Sequence, residues 1–191
     1  MNPATHFLVG WSVANAAPLE RRDRTAVALA GIAPDVDGFG FLPEILTRGW
    51  EHPIRWFSEY HHALAHNLLL GIVVAGACFA AAKRRWTTAA LALASFHLHL
   101  ACDVLGARGP DGTIWDVPYL WPFSERWTWA WQGQWRLDSW QNMAITLALL
   151  ALMFYLAWRR GYSPVGIVSE RADGAFVATL RRRFPPKGPA A

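Results

Sequence analysis

Three long apolar segments, each with arginine or lysine at one end, limit the folds open to this chain. They cover residues 64–82, 87–105 and 140–158. Each approaches the ~20 apolar residues that an α-helix needs to cross a bilayer. Because a helix satisfies its own backbone hydrogen bonds in lipid, the sequence predicts an all-α integral membrane bundle.

The composition is typical of a membrane protein. Hydrophobic residues make up 53% of the chain and charged residues only 17%, against ~25% charged residues in soluble domains. Tryptophan, which favours the membrane–water interface, is concentrated in one loop. The loop tryptophans are Trp115, Trp121, Trp127, Trp129, Trp131, Trp135 and Trp140. The net charge of +4 does not indicate nucleic-acid binding, since the basic residues lie beside apolar segments.

We predict about five helices. Residues 5–17 and 25–33 would form a short helical hairpin with a basic turn, and the first two long segments would form a second hairpin. The third long segment would be a C-terminal transmembrane helix. Alternation over residues 127–131, followed by Gln132-Gly133, predicts a small β-hairpin in the tryptophan-rich interfacial loop.

The sequence predicts a membrane-embedded domain over residues 1–160 and a basic tail over residues 161–191. In the tail, Phe176, Leu180 and Phe184 are spaced by four and flank a run of arginines. This spacing is typical of a basic amphipathic helix on a membrane surface. A solvated, frayed terminus explains the same residues equally well.

Histidines and aspartates lie at the helix ends opposite the basic turns. His6 opens the first predicted helix and Asp35 follows the second. His66 and Asp103 are each roughly 18 residues from the basic turn at residues 83–85. At ~1.5 Å per residue, both lie ~27 Å along antiparallel axes and therefore at one level. The two hairpins are thus expected to deliver their ligand-type side chains to one place.

The basic residues orient the predicted bundle. Thirteen of the 18 lysines and arginines lie on the side of the basic turns. They are Arg21, Arg22, Arg24, Lys83, Arg84, Arg85, Arg159, Arg160, Arg171, Arg181, Arg182, Arg183 and Lys187. Since these residues favour the cytoplasmic side, we expect a multi-pass inner-membrane protein with a cytoplasmic C-terminus. The ligand side would face away from the cytoplasm.

We interpret seven side chains as metal-ligand candidates: His6, Asp35, Asp37, His61, His66, His99 and Asp103. Asp103 follows His99 by four residues on one helix face. An aspartate in an apolar helix is costly without a hydrogen-bonding partner or a cation, so metal ligation is favoured over a simple histidine–aspartate hydrogen bond.

Several alternatives stay open. His61 and His62 are equally good candidates beside His66. Asp37 is either a second ligand or an acceptor for a histidine N–H. His97 points away from His99 and is expected to pack or to hydrogen-bond.

Mixed histidine and aspartate ligation suits Zn²⁺, and also manganese or iron. We expect one or two ions. Such ions lower the pKa of bound water toward ~7 and, in pairs ~3.5–4 Å apart, hold both reacting oxygens of a phosphate. Asp103 or Asp35 is a candidate bridging carboxylate, and Asp37, if not a ligand, is a candidate general base.

Five motifs in a fixed order support a family resemblance over about residues 5–124. They are Thr5-His6, Ala33-Pro34-Asp35-Val36-Asp37, His61-His62-x-x-x-His66, His99-x-x-x-Asp103 and Trp121-Pro122-Phe123-Ser124. Together they resemble the YdjM-type membrane-bound metal-dependent hydrolases. That family is grouped distantly with zinc-dependent phospholipases C and single-strand nucleases, which are helical enzymes that cleave phosphoesters with clustered zinc.

The resemblance implies a zinc-type hydrolase with Asp35, His66, His99 and Asp103 as core ligands and His6 as a further one. His62 and Ala65 stand where the family pattern has arginine and threonine. Since no histidine follows His99, one or two metals fit better than the trinuclear cluster of the soluble relatives.

We therefore expect a membrane-bound hydrolase that cleaves a phosphoester of a lipid or another amphiphile, with the bilayer as its partner and the tryptophan-rich loop over the metal site. Two alternatives remain. A non-catalytic metal-binding or transport protein would saturate the cation with protein ligands. A structural membrane scaffold would use its histidine–aspartate pairs only to join helices, and would bind no metal.

Overall fold

The computed structural model describes residues 1–185. Within this range eight α-helices follow one another: α1 Pro3–Ala14, α2 Arg21–Ala30, α3 Phe41–Leu46, α4 Trp56–Tyr60, α5 Leu68–Ala81, α6 Arg85–Gly106, α7 Trp140–Arg160 and α8 Glu170–Arg183. Two 3-10 helices, Pro34–Gly40 and Pro164–Ile167, and two short strands, β1 Val117–Pro118 and β2 Thr128–Trp129, lie between them. The predicted all-α helical bundle is confirmed.

Within residues 1–185, two helices are long and apolar enough to cross a membrane. They are α6, with 22 residues, and α7, with 21. A third crossing is available if α2 and the helical segment Pro34–Leu46, which bend by 57° at the break between them, form one broken span. Residues 38–46 are helical and belong to this bent segment, whereas residues 56–60 form the separate helix α4.

Helix α5 is shorter than the predicted apolar run. It has 14 residues, or ~21 Å at 1.5 Å per residue, against the ~30 Å of a hydrocarbon core. It starts late because the Asn67 side chain accepts a hydrogen bond from Leu70 N and caps it. The preceding residues form tight turns that hold histidines instead of a further helical turn.

Helix α6 is the centre of the bundle, with α1, α2 and α5 packed around it. Small residues let α1 and α2 approach each other, and α2 approach α6, closely. A Cβ on Gly10 would lie 2.6 Å from the Ala28 carbonyl oxygen, and a Cβ on Gly31 would lie 2.8 Å from Ser95 Oγ. This contact fixes the ligand-bearing ends of α1, α2 and α6 against one another.

The two predicted hairpins close at the same end of the bundle. Buried Asp23, in α2, accepts hydrogen bonds from the backbone nitrogens of Lys83 (3.1 Å) and Arg84 (2.9 Å) in the turn between α5 and α6. The tail docks here as well, since the Arg24 guanidinium lies 3.5 Å from the centre of the Tyr162 ring.

The tail forms helix α8, so the helix, and not the frayed terminus, is the correct one of the two predicted alternatives. Ser169 Oγ caps it by accepting from Ala172 N, and buried Asp173 accepts from Ser163 N at 2.9 Å. Lys187, counted among the basic residues of this side, lies outside the described residues.

The small sheet in the tryptophan-rich loop is paired differently from the prediction. Strand β2 pairs antiparallel with β1, with Val117 opposite Trp129, and not with the residues after Gln132-Gly133. The residues after Gln132-Gly133, predicted to form the second strand of the hairpin, make other contacts. The Gln134 side chain donates to the Asp103 carbonyl oxygen at 2.8 Å and accepts from Trp115 N at 2.9 Å, which ties the loop to the end of α6.

Candidate metal centre

Within residues 1–185, four segments bring histidines and aspartates together near the end of α6: α1, the 3-10 helix Pro34–Gly40, the turns before α5, and α6 itself. These side chains form two groups of three, and in each group the ligand atoms lie within 4.8 Å of one another. The first group is His6, Asp35 and His99, and the second is His62, His66 and Asp103. All six side chains except Asp35 belong to buried residues. The structure therefore gathers His6, Asp35, His66, His99 and Asp103, and adds His62.

The Asp103 carboxylate joins the two groups. Its Oδ1 lies 3.1 Å from His6 Nε2, and its Oδ2 lies 3.0 Å from His99 Nε2 and 3.5 Å from His66 Nε2. The backbone nitrogen of Met1 also contacts Oδ1. One carboxylate thus contacts imidazoles from α1, α6 and the segment before α5.

The hydrogen bond of His99 fixes which of its nitrogens can bind a cation. Nδ1 donates to the Gly31 carbonyl oxygen at 2.8 Å, so the neutral ring carries its lone pair on Nε2. That atom lies 3.2 Å from His66 Nε2 and 3.0 Å from an Asp103 oxygen. Facing acceptors at these distances need a proton or a cation between them.

Asp37 lies behind His66, on the side away from Asp103. Its Oδ2 accepts from Ala65 N and from His66 Nδ1, both at 3.1 Å, and its Oδ1 accepts from His61 Nδ1 at 2.7 Å. The side chain is only 1% exposed. This is how a carboxylate orients a metal-ligating histidine, and it corresponds to the acceptor alternative for Asp37.

The placement of Asp37 and His61 changes their expected roles. Neither belongs to the two ligand groups, so metal ligation, which the sequence predicted for both, has no support in this arrangement. The predicted role of Asp37 as a general base is equally unsupported, because both its oxygens are held by N–H donors. Its position is that of a positioning residue for His61 and His66.

Of the two open candidates His61 and His62, it is His62 that joins a ligand group with His66. The φ of 73° at His62 puts this residue in the left-handed region, at the third position of a turn closed by Ala63 N donating to the Tyr60 carbonyl oxygen at 2.9 Å. Such a type II turn normally has glycine there. The imidazole stacks on His66 and meets Trp115 edge-on, with both pairs of ring centres 4.4 Å apart. Strain of this kind is kept mainly at functional sites.

Burial and charge set different protonation states for these two stacked rings. Burial lowers the pKa of His62 well below its usual value, so its ring is neutral and able to ligate. Burial also disfavours the charged form of His66, but Asp103 and Asp37 outweigh it and raise its pKa to about 9. Without a cation, the centre therefore holds a proton on His66.

Several buried polar atoms at the centre lack hydrogen-bond partners within residues 1–185. They are His6 Nδ1 and Nε2, Asp35 Oδ2 and His62 Nδ1. His6 Nε2 is close to Asp103 but is not aligned for a hydrogen bond. Leaving such atoms unpaired costs about 1–3 kcal/mol each. Imidazole nitrogens and carboxylate oxygens in this combination fit a zinc-type cation.

A cavity of 680 Å³ opens directly onto the centre. Asp35, His62 and Asp103 contribute to its lining, so both ligand groups border it. Most other lining residues are apolar, among them Leu29, Ile32, Val36, Phe39, Phe41, Phe57 and Trp115. The candidate ligands are therefore within reach of a molecule that enters this cavity.

Sequence reasoning missed the residues that support the ligands. The Gly31 carbonyl orients His99, and Gln134 ties the loop to the Asp103 backbone. Neither carries a ligand-type side chain, so no motif marked them. His97 hydrogen-bonds to the Leu93 carbonyl oxygen and to the Tyr119 hydroxyl, as expected for a histidine outside the centre.

The strained turn gives a stability prediction. His62→Gly and His62→Ala both remove the imidazole, but only glycine adopts a positive φ freely. We expect the glycine variant to melt at the higher temperature, since the strain is worth about 1–3 kcal/mol. Both variants should lose zinc affinity at least ~10-fold. Calorimetry and zinc titration in detergent measure the two effects. An alanine variant as stable as the glycine variant would refute the strained turn.

The comparisons with known proteins place the chain in a family. The family model described as YdjM inner membrane protein matches residues 1–171. No curated protein and no solved structure matches the chain. The match covers most of the sequence and includes every candidate ligand, so the chain belongs to the YdjM inner membrane protein family.

Proposed function

We propose that this member of the YdjM inner membrane protein family is a metal-dependent hydrolase that cleaves phosphoester bonds of amphiphilic molecules. One observation carries the proposal. Buried polar atoms of His6, Asp35 and His62 lack hydrogen-bond partners within residues 1–185, and they lie in two clusters of ligand-type atoms beside a cavity large enough for a ligand. A site built only to join helices would pair its acceptors with donors.

Two cations of the zinc type would occupy the two groups. His6, Asp35 and His99 would hold one, and His62, His66 and Asp103 would hold the other, with Asp103 in contact with imidazoles of both. When bound, the cations supply Lewis-acid polarisation of the phosphoryl oxygen and activation of water. Their charge also offsets that of the phosphate.

Access to the cavity favours an enzyme over a non-catalytic metal-binding or transport protein. A storage or structural site is closed by its protein ligands, whereas a catalytic site keeps one position open. Here Asp35, His62 and Asp103 border the cavity. A substrate in the cavity would therefore reach the cations directly.

His61 is the residue best placed to move a proton. Its Nδ1 is held by Asp37 at 2.7 Å, which leaves Nε2 to exchange a proton with the substrate. The imidazole lines the cavity and stacks on Phe57 with ring centres 4.5 Å apart. We assign it the role of general acid, which protonates the departing oxygen.

We place the centre on the non-cytoplasmic side of the inner membrane and the C-terminus in the cytoplasm. The Asp23 contacts hold the two basic turns at one end of the bundle, and basic residues favour the cytoplasmic side. Labelling of a cysteine introduced at exposed Trp50 by a membrane-impermeant reagent in intact cells supports this orientation. Labelling only after the cells are opened contradicts it.

The purified protein is expected to hydrolyse a soluble chromogenic phosphodiester in detergent. Chelator should abolish the activity, and added Zn²⁺ or Mn²⁺ should restore it, because the ligands remain in place without the cation. Failure to hydrolyse the phosphodiester with either metal would refute a phosphoesterase. Absence of bound metal together with an unchanged melting temperature in chelator would identify a structural scaffold instead.

A further inference from the structure

We propose that the substrate is a membrane lipid whose hydrocarbon chain enters the 680 Å³ cavity sideways from the bilayer, and whose headgroup, without net negative charge, enters a second, polar cavity. The proposal rests on the proposed function and specifies the substrate class. It is carried by the lining of the two cavities and by the wall that they share.

The first cavity suits a hydrocarbon chain. Its volume of 680 Å³ falls within the ~300–1,000 Å³ typical of ligand sites. Among the aspartate, glutamate, lysine and arginine side chains of the described part of the chain, only those of Asp35 and Asp103 line this cavity, and both are candidate ligands. Away from the metal centre, the cavity therefore offers a chain mainly apolar contacts.

The same cavity is lined by residues that are exposed on the outside of the bundle. Val36 is 56% exposed and Phe39 is 65% exposed, and Leu29 and Phe41 are also exposed. All four lie in α2 or in the helical segment after it, the bent pair that is apolar enough to form a broken span. Exposed apolar side chains on such a segment face lipid. The cavity is therefore open to the bilayer.

The second cavity lies on the other side of the histidine turn. It has a volume of 370 Å³ and shares Phe57, His61, His62 and Trp115 with the first. The shared wall contains His62, a candidate ligand, and His61, the proposed general acid. A lipid with its phosphate at this wall would extend its chain into the first cavity and its headgroup into the second.

The polar lining of the second cavity selects against anionic headgroups. Ser58 and Thr113 contribute hydroxyls, and Asp116 contributes a carboxylate. No lysine or arginine within residues 1–185 lines either cavity. Hydroxyl or ammonium groups would find partners there, whereas an anionic headgroup would face Asp116 with no cationic side chain beside it.

The reaction on this substrate is a hydrolysis and needs no co-reactant besides water. The water oxygen forms a bond to phosphorus, and one phosphorus–oxygen ester bond breaks. The departing oxygen receives a proton through His61, and the second proton of the water passes to solvent. The products are an alcohol and a phosphomonoester.

The chain site is tested by the ratio of kcat/KM for a long-chain to a short-chain phosphodiester. Val36→Trp should lower this ratio about tenfold, because the indole would fill the opening to the bilayer. Leu46→Trp is the matched control. It adds the same side chain at an exposed position of the same bent segment that does not line the cavity, and should leave the ratio unchanged. Equal ratios in all three proteins would overturn lateral entry.

The headgroup site is tested with mixed micelles that contain phosphatidylethanolamine or phosphatidylglycerol. The wild type should prefer the zwitterionic lipid about tenfold, and Asp116→Lys should reverse the preference. Equal or faster cleavage of the anionic lipid by the wild type would overturn the headgroup assignment. If the soluble phosphodiester is cleaved but neither ratio behaves as expected, only this inference fails. If no phosphodiester is cleaved, the proposed function fails with it.

Discussion

Asp103→Asn is expected to lower the zinc affinity of the protein at least ~100-fold and to remove its hydrolytic activity. The carboxylate contacts His6, His66 and His99, so its charge serves both ligand groups. Loss of a partner that only orients a ligand already costs 10–100-fold in metal affinity, and loss of a shared ligand should cost more. Zinc retained after gel filtration, measured by mass spectrometry, gives the result directly.

His97→Gln is the control for this variant. It changes a histidine of the same helix whose nitrogens bond to Leu93 and Tyr119 and not to the metal centre. It should bind zinc like the wild type. An Asp103→Asn protein that binds zinc as tightly as His97→Gln would show that the carboxylate is not a ligand.

His61→Ala should lower kcat by about 10²–10⁴ while the protein keeps its zinc. The expectation follows from the hydrogen bond to Asp37, which orients the ring, and from its position on the wall between the two cavities. The pH profile of kcat should also lose the limb that reports the general acid. Single-turnover rates and zinc content of the same preparation separate the two roles.

His52→Ala removes an exposed histidine of the loop between α3 and α4 and serves as the control. It should leave both the rate and the zinc content unchanged. If His61→Ala loses zinc in parallel with activity, the residue is a ligand, as the sequence predicted, and another group must supply the proton.

The level of the ligands was predictable because a helix has a fixed rise. Counting from the basic turn put His66 and Asp103 at the same depth, and their side chains lie 3.5 Å apart. The spacing of His99 and Asp103 on one helix face was equally informative, with 3.0 Å between them. Asp103 lies on α6 and His66 lies just before the Asn67 cap of α5, so residues on or next to regular helices could be placed from the sequence alone.

The roles of residues outside regular helices could not be predicted in the same way. His61 and His62 are neighbours in the chain, but φ changes from −62° at His61 to 73° at His62, so their side chains face different partners. The sequence spacing alone does not fix that change. Asp37 follows a bend into a 3-10 helix, so its direction depends on the packing of the bend. Gln134 acts through a contact 31 residues away in sequence.

The family assignment and the geometry support different parts of the account. The family match supports an inner membrane protein, and in the part of the chain that the structure describes two helices are long and apolar enough to cross a bilayer. The metal and its chemistry rest on the facing acceptors around Asp103 and on the unpaired atoms of His6, Asp35 and His62.

Elemental analysis of the wild-type protein, purified in detergent without added metal or chelator, tests the central claim most directly. The account predicts two zinc-type ions per chain, and a melting temperature that falls when chelator removes them. A preparation that is well folded, holds only trace amounts of every transition metal and melts at the same temperature in chelator would contradict it.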